Sequence, residues 1–174
     1  KWISGTESRK DVQSIRRLSD AVVTGVGTVL SDNPQLNVRD SAGVKPVGQP
    51  LRVVLDTQLR TPVDSRIFDV AGPLLFLFSG EGDAVVDRAE ALRARTVNVE
   101  RVKVCDAEGR ADIASVLKLL LEDYGCNEVL IEAGATLAGG FISEGLVDEL
   151  IIYLAPKLLG SDGRPLLDFG EITS

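Results

Sequence analysis

Apolar and polar positions along this chain follow two rhythms, and the changes of rhythm mark out its elements. Short apolar runs of strand length stand at DAVVT (20–24), LRVVLD (51–56), PLLFLF (73–78) and EVLIE (128–132), each bounded by turn residues. A further strand is expected within 97–104. Between these runs the period becomes helical. In ADIASVLKLLLEDYG (111–125) the apolar residues Ile113, Val116, Leu117, Leu120 and Leu121 form one helix face, which Gly125 ends. DAVVDRAEALRAR (83–95) reads as an exposed helix, and GTVLSD (27–32) as a brief one stopped at Asn33-Pro34. Ser4-Gly5-Thr6-Glu7 has the form of a capping box, opening a helix that runs to about Leu18. GATLAGGFISEG (134–145) continues as a helix and LVDELIIYLAP (146–156) as a strand, either buried or facing a dimer partner. The alternation predicts an α/β fold. RDSAGVKPVGQP (39–50) is rich in Gly, Pro and Ser, but too few residues precede it for a separate domain, so it reads as a loop.

Composition narrows the function. At 174 residues and 44% hydrophobic, the chain is sized for one well-buried core. A net charge of −7 excludes the basic footprint of a nucleic-acid binder, although a local arginine pair can still hold a small anion. No apolar run approaches the ~18 residues of a membrane span, and the charged opening residues do not form a signal peptide, so a cytoplasmic protein is expected. Cys105 and Cys126 match no metal-ligand spacing and read as structural thiols; no metal is expected. There is no histidine, which removes Ser-His-Asp and Cys-His catalysis and His-ligated zinc. The hard chemistry of an enzyme would have to come from a bound cofactor. There is also no methionine, and the abrupt start at Lys1 reads as a piece of something longer.

The glycines supply the candidate site. EVLIE-AGATLAGG places Gly134 between a strand and a helix, with Gly139 and Gly140 farther along that helix. Glycine inside a helix costs about 1 kcal/mol relative to alanine, so a pair of them implies close packing or the close approach of a ligand. DAVVT-GVGTVL repeats the strand–turn–helix order with Gly25 and Gly27 at the turn and Thr28 offering a hydroxyl. Two such turns, each aiming free amides at an anion, suggest a dinucleotide. Neither carries the full G-x-G-x-x-G, and no acidic residue closes a strand about 20 residues after Gly25, which excludes a Rossmann domain. On the first helix, Arg16 lies about 40° from Val12 and borders the apolar face, whereas Arg17 at about 140° faces water. Arg16 either snorkels or reaches into a cleft to clamp an anion, and Arg39 is a second donor from a loop. Asp32 stands one helical turn after Thr28. Lys157 reads as a solvated loop lysine.

The segments WIS…DVQ…RR…DAVVTGVGTVLSDNPQLNVR (2–39), EAGATLAG (132–139) and LVDELIIYLAPKLLG (146–160) closely resemble the reductase domain of bacterial riboflavin-biosynthesis proteins. The resemblance implies a dihydrofolate-reductase-like three-layer fold: a central, mostly parallel mixed sheet flanked by helices. It implies NADPH-dependent reduction of 5-amino-6-(5-phosphoribosylamino)uracil to its ribitylamino product, and a homodimer. By this likeness Trp2, Thr28, Asp32 and Thr57 are cofactor contacts, with Gly134, Ala135, Thr136, Leu137, Ala138, Gly139 and Gly140. Arg16, Leu36, Arg39 and Glu132 fall on the substrate side, and Asp32 and Glu132 are the candidates for orienting a ribose or relaying a proton. Residues 1–174 would then be one reductase domain truncated at both ends. The zinc-dependent deaminase domain that usually precedes it in the family, with its zinc, would be missing. The rivals are a related reductase acting on a diaminopyrimidinone or on dihydrofolate, and a nucleotide-binding module without turnover. Two arginines favour a phosphorylated substrate over folate.

Overall fold

The computed structural model of the chain describes residues 3–39, 48–95, 97–103, 110–157, 160 and 163–168. Its elements follow the apolar runs: α1 (Thr6–Leu18), β1 (Ala21–Gly25), α2 (Val26–Asp32), β2 (Leu51–Leu55), β3 (Leu74–Phe78), α3 (Asp83–Arg93), β4 (Asn98–Arg101), α4 (Ile113–Glu122), β5 (Val129–Ile131) and α5 (Ala135–Ser143). A 3-10 turn at Arg66–Asp69, which the sequence pattern does not announce, precedes β3. The five described strands form one sheet in the order β4-β3-β2-β1-β5, every pair parallel. A parallel sheet is covered on both faces, which is why β2 and β3 are buried at every position and carry no alternation.

Two apolar layers sandwich the sheet. Val22, Val54, Phe76 and Val99 point to one side, against Val29 of α2 and Val85, Ala89 and Leu92 of α3. Val23, Val53, Leu75 and Leu77 point to the other, against Val116 and Leu120 of α4, with Leu137 of α5 packed on the same layer. The face of α4 is the one the sequence pattern identifies, whereas α3, read from the sequence as exposed, buries Val85, Ala89 and Leu92 against the sheet. α4 is also capped as its sequence demands: the Asp112 carboxylate accepts from the Ser115 amide and hydroxyl, which holds its pKa below the usual aspartate value.

The glycine pair inside α5 is explained by packing. A Cβ on Gly139 would stand 2.0 Å from the Asp168 carbonyl oxygen, because the segment 163–168 lies directly against the helix there. Asp168 also donates its amide to the Ala135 carbonyl at 3.1 Å. A Cβ on Gly140 would meet Ile113 of α4 at 2.9 Å. The close neighbours at these two positions are therefore parts of the chain itself.

Two further expectations are corrected. The capping box does not form: Gly5 is the N-cap, no side chain caps α1, and the Ser4 carbonyl instead accepts from Arg9. The run expected as a strand at 146–156 has no regular structure, and Leu150 and Leu154 are 54% and 90% exposed. A strand needs a neighbour to pair with, and no described strand lies outside β5 on that side of the sheet. The described strands form the parallel part of the helix-flanked sheet that the fold class implies.

Arg52, in the middle of β2, is 1% exposed and has no anionic partner among the described residues. Its guanidinium instead donates to the carbonyls of Ile67, Val70 and Gly72, fastening the loop before β3 under the sheet. Burial lowers its pKa from the usual arginine value.

Two stability predictions follow from this packing. Arg52→Met removes a buried charge but strands three carbonyls, and the second effect should win, lowering unfolding free energy by about 2–4 kcal/mol in urea titration; an unchanged midpoint would refute the staple. Gly139→Ala gains about 1 kcal/mol of helix propensity but forces the 163–168 backbone away, for a net loss of about 1–2 kcal/mol. The same segment should then become protease-sensitive, whereas Gly134→Ala, whose Cβ has room, should leave it protected.

Candidate functional site

Because every described strand is parallel, all carboxyl ends lie on one rim of the sheet. Strands β1 to β4 follow one another across the sheet, and the chain then returns to lay β5 on the far side of β1. The connections leaving β1 and β5 diverge to opposite faces, α2 to the layer of Val29 and α5 to the layer that includes Leu137. A crevice opens at such a switch in strand order, and ligands of α/β proteins bind there.

Both glycine turns stand at this crevice. Gly25 is the N-cap of α2 and Gly134 the N-cap of α5; both are extended and neither helix has a side-chain cap. The two turns face each other. The nearest atom to a Cβ on Gly134 is the Thr28 hydroxyl at 3.9 Å, and the nearest to one on Gly25 is Leu137 Cδ2 at 3.4 Å. Gly27 has nothing within 4 Å. Around α5, the amides of Ala135, Thr136 and Leu137 have no acceptor within the helix, whereas the Ala138 amide donates to the Gly134 carbonyl. The run 134–140 thus divides. Residues 134–137 present amides to the crevice, and Ala138, Gly139 and Gly140 belong to the body of the helix.

The crevice floor is pinned by buried polar contacts that sequence spacing does not reveal. Thr24, fully buried, donates its hydroxyl to the Glu132 carbonyl at 2.7 Å, and the Glu132 amide donates to Val23. At the opposite end of the strand pair, Asp20 accepts from the Asn127 and Glu128 amides, and the Glu128 and Asn127 bonds hold its carboxyl below the usual range. Cys126 beside it is a buried structural thiol, raised by burial and then by the Asp20 charge.

Arg16 and Glu132, both expected on the substrate side, are brought together. Arg16 donates Nε to Glu132 Oε1 at 2.5 Å and Nη2 to Oε2 at 2.6 Å, and its Nη1 reaches the Asn37 carbonyl at 2.9 Å. The side chains are 11% and 24% exposed, so the bidentate pair is largely shielded. Gln13, one turn earlier on α1, accepts from the Arg39 amide at 2.8 Å. One face of α1 therefore holds the loop 33–39 at two points. Within that loop Leu36 adopts a left-handed φ of 50° and buries its side chain in the core, leaving its main chain for any ligand, while Arg39 is exposed. Asp32 is exposed at the end of α2, Thr57 is half-buried after β2, and Trp2 lies outside the described residues.

Two features went unread in the sequence. Asp56 is fully buried at the carboxyl end of β2, in a run that looks like an ordinary apolar strand closed by a turn residue. Tyr153 donates to Asp11 at 2.7 Å, and burial, then that hydrogen bond, pushes its phenol up to about 12, so it stays a donor. Tyr153 and Glu132 border a groove of about 660 Å³ between α1, α4, α5 and the outer side of β5, which is distinct from the crevice. Lys157, expected to be solvated, is exposed yet donates to the Ile3 carbonyl. Among the described residues no group of His, Cys, Asp or Glu is arranged to hold a metal ion, and no helix is long and apolar enough to cross a membrane.

The chain as a whole is similar to known proteins. The family model described as the RibD C-terminal domain matches residues 1–174. The riboflavin biosynthesis protein RibD of Escherichia coli K12 is 37% identical over 174 residues, covering 95% of this chain and 45% of that protein. A 5-amino-6-(5-phosphoribosylamino)uracil reductase of Buchnera aphidicola subsp. Acyrthosiphon pisum is 34% identical, covering 95% of this chain and 80% of that protein. The solved structure of Acinetobacter baumannii RibD, form 1, superposes with a TM-score of 0.81 at 34% identity, over all of this chain and 45% of that one. The chain thus spans less than half the length of the RibD proteins it matches, and the dihydrofolate-reductase-like architecture is theirs. It belongs to the RibD C-terminal domain family.

Proposed function

We propose that this domain binds NADPH across the β1/β5 crevice and reduces 5-amino-6-(5-phosphoribosylamino)uracil to the ribitylamino compound, a step of riboflavin synthesis. The observation that carries the reading is the meeting of two uncapped, glycine-led helix starts at the switch in strand order. The residues present fit a dinucleotide. Gly27 leaves open space at the crevice, Gly134 has only the Thr28 hydroxyl near it at 3.9 Å, and the three amides at the start of α5 suit an anionic diphosphate. The hydroxyls of Thr28 and Thr57 would orient the riboses. Bound NADPH supplies the hydride, which removes the need for an imidazole in a chain that has none.

The protein's own task in this reading is positioning. Arg39, exposed on a loop whose main chain is held by α1, offers a guanidinium to the substrate phosphate. Arg16 and Glu132 hold each other and the loop, so they present a fixed polar wall; a substrate group meets the outer lone pairs of Glu132 and the edge of Arg16. Asp32, on the exposed end of α2, remains the candidate for a ribose contact or a proton relay. The Buchnera relative is named as a reductase of the same substrate, which supports the reading. A cytoplasmic homodimer, in which this domain follows a zinc-dependent deaminase domain, completes the proposal.

The test is steady-state NADPH oxidation by the intact protein with the uracil substrate. Turnover is expected; NADPH binding without turnover would instead favour a non-catalytic nucleotide-binding module. Arg39→Ala should raise the substrate KM about tenfold or more while NADPH affinity stays within about twofold. Equal losses for both ligands would contradict the assignment of Arg39 to the substrate side.

A further inference from the structure

The structure gives Asp56 a role that neither the motif pattern nor the relatives' names assign. Asp56 follows β2 directly, at the rim where the ligand is proposed to lie, and is 0% exposed. One carboxylate oxygen, Oδ2, accepts both the Thr61 amide at 2.7 Å and the Thr61 hydroxyl at 2.8 Å. The other, Oδ1, has no hydrogen-bond partner. No lysine or arginine among the described residues pairs with the group. A buried carboxylate with an idle oxygen and no counter-charge is expensive to keep, and closing a turn needs only a neutral acceptor such as asparagine or serine.

What the carboxylate holds is a turn with little freedom. The Asp56 amide donates to Leu77 of β3, and its carbonyl accepts from the Leu59 amide at 2.9 Å. Leu59 is buried in the core with a left-handed φ of 49°, a conformation a leucine keeps only when its surroundings impose it. Between these anchors sits Thr57, whose carbonyl accepts from the Gly80 amide at 2.7 Å. Gly80 is pressed so close that a Cβ there would stand 2.5 Å from the same carbonyl. The main chain of the turn is thus held at Asp56, Thr57, Leu59 and Thr61, while the Thr57 side chain is half-buried and Gln58 and Arg60 are exposed. A charged acceptor, taking two donors on one oxygen, binds more strongly than a neutral one and limits the turn's freedom further.

We propose that Asp56 is a positioning residue for the dinucleotide: it fixes the 56–61 turn so that Thr57 faces the cofactor, and cofactor affinity depends on a side chain that the cofactor does not touch. This rests on the placing of NADPH at the rim. In the intact enzyme, Asp56→Ala should raise the Kd for NADPH about tenfold, and Asp56→Asn, which keeps an acceptor for Thr61, should restore most of it. Thr61→Val, which removes one of the two donors and spares the buried group itself, should weaken NADPH binding in the same direction by a smaller factor and carries the test if the alanine variant fails to fold. The substrate KM, measured at saturating NADPH, should stay within about twofold in all three, a split that general loss of stability does not produce. The proposal is overturned if folded Asp56→Ala and Thr61→Val bind NADPH as the unaltered protein does, or if Kd and KM rise together. Failure of the unaltered protein to bind NADPH would overturn the placement of the cofactor itself, and this role with it.

Discussion

The pairing of β5 with β1, instead of with β4 at the growing edge of the sheet, is the constraint on which the site depends. Had the chain continued in sequence order, the two glycine turns would lie at opposite ends of the rim. The return crossing sets them side by side, close enough for Thr28 to face Gly134 and Leu137 to face Gly25. Yet β5 has only three residues, all half-buried, which pack on the two apolar layers from the edge of the sheet. Its place is held by polar pins at both ends: Asp20 on two amides at the start, and the Thr24 hydroxyl with the Val23 carbonyl at the finish. Each such bond contributes about 1 kcal/mol, so together they rival the burial of one large side chain.

A chain with net charge −7 is an unpromising anion binder until distance is considered. Exposed charges more than about 10 Å away are largely screened at moderate ionic strength, so the local arrangement decides. Locally, the start of α5 carries the partial positive charge of a helix N-terminus, and Arg39 stands exposed on its loop. Arg16 does not add to this, because Glu132 neutralises it. Its contribution is geometric: one guanidinium joins α1, the end of β5 and the loop 33–39, which are distant in sequence and share no strand pairing.

What could be read from the sequence was what depends on local pattern. The apolar runs gave the strands, the spacing in 111–125 gave α4 and the buried Ile113, Val116 and Leu120 but also the exposed Leu121, and the position of Arg16 beside Val12 correctly placed it at the border of the interior. The failures share a cause, since each depended on a partner far along the chain. The spacing could not show that Arg16 pairs with Glu132, 116 residues away, or that Gly139 makes room for Asp168. The apolar run 150–154 has strand composition, but composition does not supply a neighbouring strand. Asp56 was hidden for the opposite reason: an acidic residue after an apolar run looks like the start of a solvated turn, and only the folded chain shows that this carboxylate is fully buried.

These placements bear on how a protein without histidine can serve a reduction. Glu132 is engaged on both oxygens by Arg16, and Asp56 is sealed under its turn, so among the described residues Asp32 is left as the candidate acid or base open to solvent at the crevice. The rest of the rim offers amides and hydroxyls, groups that bind and orient but do not exchange protons near neutral pH. Such a surface accelerates a reaction by fixing two ligands in register, and its effectiveness depends on how little the fixing elements move. That is the physical reason for so many shielded polar anchors beneath an open crevice: Thr24, Arg16 and Asp56 each tie main chain of the rim to a more rigid neighbour. A rim built this way exchanges versatility in acid–base chemistry for precision of placement, which suits a step whose electrons arrive with a bound carrier.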